Sequence, residues 1–423
     1  MSGATALLRP HGGHNAAQAF DVEAVRADFP ILRRKVYERP LVYLDSAASA
    51  QKPVQVMQAM DEVARTCYSN VHRGVHRLSQ ESTDLFEAGR ESARGFIGAA
   101  SADEVILTSG ATEAINLVAH CFGRAFMKEG DEVILSTLEH HSNIVPWQLL
   151  RDQLGIVIKV VPIGDDGSFL FEEYEKLLSP RTKMVAVAHV SNALGTVVPV
   201  EAVIKAAHAV GAKVLLDGCQ AAPHTAIDVT ALDVDFYAFS GHKIYGPTGI
   251  GVLYGKRDLL NAMPPYQGGG EMIQSVSFEK TTYKETPHRF EAGTPPILEA
   301  VGLKAAIDYM QALGAEAIAA HEAGLLAYAH ERLSQVEGLR LVGTAPEKAS
   351  IVSFLMDDVH AHDIGTIVDR MGVAVRVGHH CAEPLMHRLG VASTARASFG
   401  LYNTRDEVDA LATALEKVRE LFA

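Results

Sequence analysis

Short apolar runs alternate with segments of helical periodicity between Glu104 and Tyr254. This alternation predicts parallel strands joined by crossover helices, because parallel strands need long connections and are buried on both faces. The predicted strands are Val105–Thr108, Glu132–Ser136, Val157–Pro162, Met184–Ala188 and Lys213–Asp217. The sequence therefore predicts an α/β fold built on a mainly parallel sheet.

Polar residues follow most of these apolar runs. They form four groups, Ser109–Thr112, Glu139–His141, His189–Asn192 and Asp217–Gln220. Open α/β sheets bind their ligands at the carboxyl ends of the strands. We therefore expect the four groups to converge on one crevice.

Lys243 lies in a polar knot, Ser240-Gly-His-Lys-Ile-Tyr245, between two apolar runs that are predicted to be strands. Removal from water favours the uncharged form of a lysine, and a free amine can attack a carbonyl to form a Schiff base. Taken alone, the motif is more typical of a surface hairpin. Its partners elsewhere in the chain favour the chemical interpretation.

Two of those partners indicate pyridoxal phosphate. Ser109-Gly-Ala-Thr112 precedes a helix start, where free backbone N–H groups favour a phosphate. Asp217 ends a strand 26 residues before Lys243, and an aspartate there can hold a protonated pyridine nitrogen. Each also has a plainer interpretation, a helix N-cap for Ser109 or Thr112 and a sheet-end carboxylate for Asp217.

Three further side chains could take part in chemistry. His140 could stack on an aromatic cofactor or move protons. Cys381, near histidines and an arginine, could act as a thiolate, and Arg396 could bind a carboxylate through two parallel hydrogen bonds. The alternatives are a zinc site for the paired histidines and a surface position for Arg396. No metal is expected, because further ligands at short spacing are missing around the histidine pairs.

Composition narrows the class of protein. With 423 residues, 48% of them hydrophobic, the chain can bury a large core divided between two domains. The formal charge of −13 argues against nucleic-acid binding, and the longest uncharged stretch, Met184 to Val200, is too short and polar to span a membrane. Four scattered cysteines predict no disulfide framework. We expect a cytoplasmic enzyme that acts on a small molecule.

The chain divides into four predicted parts. Residues 1–20 are expected to be a disordered leader, and 21–40 a segment that packs on the small domain. Residues 41–300 are predicted to form the large cofactor-binding domain, and 301–423 a smaller C-terminal α/β domain. One long helix is predicted from Leu298 to about Val336, and a strand at Ser350–Leu355.

Together the motifs resemble the class-V pyridoxal phosphate enzymes of fold-type I, and within them the group II cysteine desulfurases of the SUF type, many of which are also selenocysteine lyases. The resemblance runs from about Phe20 to the end of the chain. It rests on Asn70–Gly74, Ser109–Asn116, Glu139–Trp147, His189–Asn192, Asp217–Gln220, Ser240–Gly249, Ala292–Pro295 and Arg376–Cys381. The sequence departs from the family pattern at Cys219, Pro296 and Glu383.

The resemblance implies how the cofactor is held. Lys243 would carry it as a Schiff base, Asp217 would contact the pyridine nitrogen and Gln220 the phenolic oxygen, and His140 would stack on the ring. Its phosphate would be bound by Ala111, Thr112, Ser240 and His242, and by Thr294 of the partner subunit in a homodimer.

The resemblance also implies a reaction. Asn192 and Arg396 would bind the carboxylate of L-cysteine, with Arg376 and His72 close by, and Cys381 would take the sulfur as a persulfide while L-alanine is released. A SufE-like or SufU-like protein would then accept the sulfur for iron–sulfur cluster assembly. The alternatives are a selenocysteine lyase, a class-V aminotransferase and a scaffold without turnover.

Overall fold

The computed structural model describes residues 20–422. Its helices are α1 (Val22–Ala27), α2 (Val54–Thr66), α3 (Arg77–Phe96), α4 (Ala111–Phe126), α5 (Val145–Leu154), α6 (Phe171–Leu177), α7 (Val200–Ala209), α8 (Val229–Leu232), α9 (Arg257–Ala262), α10 (Ile297–Leu313), α11 (Ala315–Leu333), α12 (Ala361–Arg370), α13 (Glu383–Arg388) and α14 (Arg405–Phe422). Short 3₁₀ turns lie between several of them, including Gly241–Lys243.

The strands are β1 (Lys35–Val36), β2 (Arg39–Pro40), β3 (Val42–Tyr43), β4 (Val105–Thr108), β5 (Glu132–Ser136), β6 (Val157–Val161), β7 (Thr182–Ala188), β8 (Lys213–Asp217), β9 (Phe236–Ser240), β10 (Gly251–Gly255), β11 (Ile273–Val276), β12 (Thr281–Tyr283), β13 (Leu339–Val342), β14 (Ile351–Met356), β15 (Val373–Ala374), β16 (Arg376–Gly378) and β17 (Thr394–Ser398).

The central sheet has seven strands in the order β4-β10-β9-β8-β7-β5-β6, and only β10 runs antiparallel to its neighbours. Except in the edge strand β6, successive residues of each strand enter cores on opposite faces. In β7, Met184 and Ala186 face the core beneath α4 and α5, whereas Val185 and Val187 face the core on the other side. Burial on both faces explains the nearly continuous apolar runs in the sequence.

A second sheet, in the order β13-β14-β17-β16, is antiparallel. Apolar residues of α11, α12 and α14 pack on it as a separate core. Strand β3 pairs with β15, and Asp45 bridges to Ser398 of β17. Residues 42–45, which begin the predicted large domain, thus contact the predicted C-terminal domain. The division into domains itself stays a prediction.

The predicted α/β fold with a mainly parallel sheet is confirmed, and three strands, β4, β5 and β8, have the predicted bounds. The long helix predicted from Leu298 is wrong in one respect, because it is divided between α10 and α11 at Gly314. Gly314 has a φ of +87°, a backbone conformation that breaks an α-helix and that glycine adopts at little cost.

The segment predicted to pack on the small domain contacts both parts of the molecule. Arg26 donates to Tyr402 O and forms an ion pair with Glu407 at 2.9 Å, while Phe29 packs against Tyr245 as well as Tyr402. The predicted leader lies outside the described residues, apart from Phe20, which stacks on a histidine of α11.

Candidate active site

The polar groups that follow the strands of the central sheet meet around one cavity, as the strand-end argument predicts. Ten of the proposed site residues line it: Ala111, Thr112, His140, Asn192, Asp217, Ser240, His242, Lys243, Arg376 and Arg396. The central sheet and the loops that follow its strands carry the first eight, and β16 and β17 of the second sheet carry the two arginines. The cavity therefore lies where the two sheets meet.

Lys243 ends the 3₁₀ turn that follows β9. Behind this turn the start of β10 approaches the N-terminus of α4 so closely that a Cβ on Gly251 would lie 2.5 Å from Gly110 Cα. Glycine is required at this contact because no side chain fits. The close approach places Ser240 Oγ 2.9 Å from Ala111 N, so the lysine turn and the start of α4 share one wall of the cavity.

Helix α4 begins at the cavity, and the residue before it provides no side-chain cap. The first N–H groups of a helix have no partner within the helix, and they favour an anion together with the helix dipole. Ala111 N is already bound by Ser240, which leaves the next amides of this turn available. The arrangement suits a phosphate.

Asp217, at the end of β8, is only 6% exposed. Within the described part of the chain its carboxylate accepts one hydrogen bond, from Cys219 N at 3.0 Å. A buried carboxylate normally has a charged or multiply hydrogen-bonded partner, because its desolvation is costly. This carboxylate is therefore suited to a cationic donor such as a protonated pyridine nitrogen.

The ring of His140 is held in one tautomer. Its Nδ1 accepts a hydrogen bond from Ser142 N at 3.1 Å, which leaves the proton on Nε2. Burial, aided by the nearby Lys243, lowers the pKa of His140 to about 4. The ring is therefore neutral near pH 7, which suits a group that stacks on an aromatic ring.

Glu139 anchors the segment that carries this ring. Its carboxylate is fully buried and accepts from Ser136 Oγ at 2.5 Å, Asn143 Nδ2 at 2.7 Å and Ala188 N at 3.1 Å. Asn143 is in turn held by Trp147 Nε1 at 3.2 Å. The network fixes the turn after β5 against β7, and it thereby fixes the position of His140.

Arg396 is a buried guanidinium whose hydrogen bonds leave one nitrogen free. It donates to Asn192 O at 2.7 Å and to the Asp45 carboxylate at 3.0 Å, while Nε has no partner in the described chain. Burial lowers the pKa of Arg396, and burial also raises the pKa of Asp45. A buried unpaired donor beside the cavity is suited to an incoming carboxylate.

Cys381 does not line the cavity but lies at its rim. Its Sγ is 3.7 Å from Arg376 Nη2, and the preceding residue, His380, lines the cavity. Asn192, which was predicted to bind substrate, donates through Nδ2 to His380 O at 2.6 Å. Asn192 thus holds the cysteine loop in this structure, while its own carbonyl accepts from Arg396.

Three other predicted residues lie outside the cavity lining. His72 bonds Glu87 at 2.8 Å, and Thr294 is exposed on the surface. Gln220 donates to Ala47 O at 2.7 Å, and its buried Oε1 has no partner in the described chain. The roles given to these three residues stay predictions, as do the roles of the residues that line the cavity.

The sequence analysis gave no specific role to Asp45, His141 or His380, although His141 lies in one of the four polar groups. Asp45 ends an apolar run and precedes Ser46-Ala-Ala, so the strand-end rule that selected Asp217 would also have selected it. His141 contacts a loop more than 230 residues further along the chain. His380 is held by Asn192, 188 residues before it. No local pattern in the sequence reveals such contacts.

The described residues contain neither a metal-binding cluster nor a membrane-spanning helix. Between residues 20 and 422, no three histidine, cysteine or acidic side chains are grouped so that they could hold a metal ion. None of the helices in that range combines the length and the apolar character needed to cross a membrane.

Comparison with known proteins gives a consistent family. Residues 42–411 match the family model described as aminotransferase class-V. A cysteine desulfurase from Synechococcus elongatus is 52% identical over 96% of this chain, which spans 65% of that protein's length. A probable cysteine desulfurase from Halalkalibacterium halodurans is 52% identical over 93% of this chain and 97% of its own.

A solved structure agrees with these sequence matches. The cysteine desulfurase CsdA from Escherichia coli, in its S-sulfonic acid form, superimposes with a TM-score of 0.89 at 38% identity. The match covers 96% of this chain and 100% of that one. The whole architecture, including both sheets, is therefore shared.

Proposed function

We propose that this chain, which belongs to the class-V aminotransferase family, is a pyridoxal phosphate-dependent cysteine desulfurase. It converts L-cysteine to L-alanine and leaves the sulfur on Cys381 as a persulfide. One observation carries the proposal: the cavity of Lys243 and Asp217 has a buried arginine on its wall, one of whose nitrogens is unpaired in the described chain, and a loop-held thiol at its rim. An aminotransferase would have no use for that thiol.

The residues of the cavity fit pyridoxal phosphate. The weakly partnered carboxylate of Asp217 suits the ring nitrogen, the uncapped start of α4 suits the phosphate, and the neutral ring of His140 suits stacking. When bound, the cofactor acts as an electron sink for the bonds around the substrate Cα. Lys243 is the amine available for the Schiff base.

The chain's own groups would act in sequence. Arg396 binds the substrate carboxylate, and the amine of Lys243 removes the Cα proton. The Cys381 thiolate attacks the substrate sulfur, so that a new S–S bond forms as the Cβ–S bond breaks. Cβ then takes up a proton, Lys243 returns a proton to Cα, and alanine leaves. The balance is one cysteine and one enzyme thiol to one alanine and one enzyme persulfide.

The proposal also includes the sulfur acceptor, the cellular location and the oligomeric state. The persulfide would pass to a SufE-like or SufU-like acceptor in a SUF-type pathway of iron–sulfur cluster assembly, in the cytoplasm. The enzyme would be a homodimer in which Thr294 reaches the phosphate of the partner subunit. The exposed position of Thr294 supports its contact with a partner subunit. The exposed Phe278 of the β11–β12 hairpin supports the homodimer, because a partner subunit would cover this apolar ring.

The decisive experiment measures alanine from L-cysteine in the presence of a reductant. Wild type is compared with Cys381→Ala and with Cys67→Ala, which removes a free and equally half-buried thiol outside the cavity lining. We expect activity in wild type and Cys67→Ala, and a loss of at least a hundredfold in Cys381→Ala.

Three other outcomes would refute the desulfurase assignment, favour another function or exclude Cys381. No alanine from any cofactor-loaded variant would refute the desulfurase assignment. If Cys381→Ala lost activity on cysteine but kept it on selenocysteine, whose selenium leaves more readily, the alternative of a selenocysteine lyase would gain support. Equal activity in all three proteins would remove Cys381 from the reaction.

A further inference from the structure

The loop His379–Pro384, here called the acceptor loop, is tied to the cofactor side of the cavity by His141. The backbone N–H of His141 donates to Cys381 O at 2.7 Å. The side chain reaches one step further, since its Nε2 accepts from Glu383 N at 3.0 Å. One residue thus contacts the loop on both sides of Ala382.

The second bond satisfies a backbone group that has no other partner among the described residues. Glu383 is the first residue of α13, and an N–H in the first turn of a helix has no acceptor within it. The ring of His141 therefore caps α13 from outside. Because Nε2 accepts, the ring is in the tautomer with its proton on Nδ1.

The acceptor loop needs such ties. His380 and Cys381 both have left-handed backbone conformations, with φ of +54° and +55°. These conformations are unfavourable for residues with a side chain and persist only where surrounding contacts impose them. Two further contacts hold His380, from Asn192 to its carbonyl and from its ring to Thr394 Oγ1 at 2.8 Å. The two bonds of His141 hold the loop further along the chain, at Cys381 and Glu383.

We propose that His141 is a positioning residue that fixes the Cys381 thiol relative to the cofactor. His140, its neighbour, lines the cavity, so adjacent residues orient the cofactor ring and the sulfur acceptor. The identity of Cys381 as acceptor rests on the proposed function. A displacement of the thiol by about 1 Å is enough to cost about a hundredfold in rate.

The test compares His141→Leu, which fills the space without an acceptor, with His141→Gln, whose side-chain oxygen can replace Nε2. In the holoenzyme, hydrogen exchange of a peptide that contains the Glu383 amide reports on the ring's bond directly. We expect exchange to be about tenfold faster in His141→Leu and close to wild type in His141→Gln. Cofactor content and its absorption band should be unchanged in both.

Kinetics separates positioning from binding. In His141→Leu we expect kcat for alanine formation to fall about tenfold or more with KM within about twofold, because the substrate-binding groups are untouched. His141→Gln should recover most of this loss. The matched control is His387→Leu, since this histidine of α13 is exposed and its ring only approaches Glu383 at 3.9 Å; it should behave as wild type.

Three results would overturn the inference: wild-type exchange and kcat in His141→Leu, a loss of cofactor in that variant, or a failure of His141→Gln to recover exchange. Faster loop exchange in His141→Leu, with no alanine from any protein including wild type, would refute the proposed function instead. The anchoring of the loop by His141 would then stand without its catalytic meaning.

Discussion

Glu139 offers a test of how the site's buried charges affect stability. Its carboxylate accepts three hydrogen bonds but has no cationic partner in the described chain, and burial raises its pKa from 4.5 to about 7. The folded protein thus keeps a proton on Glu139 at pH values where the unfolded chain has lost it. Glu139 therefore stabilises the fold below pH 4.5, and this stabilisation is lost as the pH rises to about 7.

The magnitude follows from the shift. Each pH unit between the two values changes the free energy of unfolding by about 1.4 kcal/mol, so the whole interval is worth about 3 kcal/mol. Glu139→Gln removes this dependence because an amide does not titrate. It also places an NH₂ group opposite Asn143 Nδ2, whose orientation Trp147 fixes, and this conflict costs about 1–2 kcal/mol at every pH.

Urea unfolding of both proteins at pH 5, 6, 7 and 8 checks the reasoning. A single protein concentration keeps any contribution from subunit association the same. We expect wild type to be the more stable protein at pH 5, and its free energy of unfolding to fall relative to Glu139→Gln by about 2–3 kcal/mol by pH 8, so that the variant becomes the more stable protein there. A gap that stays constant with pH would refute the argument, because it would mean that the three donors keep Glu139 ionised at pH 5.

Two further predictions concern packing and a second buried charge. A Cβ on Gly89 of α3 would lie 2.6 Å from Ala300 O of α10, so Gly89→Ala should lower stability by about 1–3 kcal/mol. Gly95→Ala in the same helix meets nothing within 4 Å and should be neutral or stabilise by up to about 1 kcal/mol, so thermal unfolding should move the two variants in opposite directions. Burial lowers the pKa of Lys348 from 10.5 to about 8; wild-type stability should therefore rise with pH from about 8 towards 10.5. Lys348→Met should abolish that rise in urea unfolding, and a rise that persisted would contradict it.

The fold could be predicted where local and global signals agree. Runs such as Val105–Thr108 and Lys213–Asp217 are apolar because both of their faces are buried, so their bounds could be read directly from the sequence. The break at Gly314 was missed because apolar spacing continues through it, and periodicity records burial rather than backbone conformation. Pairing of β3 with β15 joins residues more than 300 positions apart, and a two-residue strand leaves no pattern of its own.

The same distinction between local and long-range signals applies to the candidate site. Residues at strand ends, such as Asp217 and Lys243, were found because the topology of a parallel sheet brings strand ends together. The hydrogen-bond partners of each group were not predictable in this way. Asn192 holds the acceptor loop through a contact between the two sheets. Asp45 occupies one nitrogen of Arg396 because residues 42–45 lie against the second sheet.

This division has a consequence for how the site is assembled. The groups that suit the cofactor lie on the central sheet and the loops that follow its strands, whereas Arg396 and Arg376 come from the second sheet and Cys381 from the loop that follows β16. Contacts from Asn192 and His141 cross between the two sets. Substitutions that remove these crossing contacts should therefore spare cofactor binding and impair substrate binding or sulfur transfer. Substitutions that disrupt the central sheet should impair cofactor binding as well.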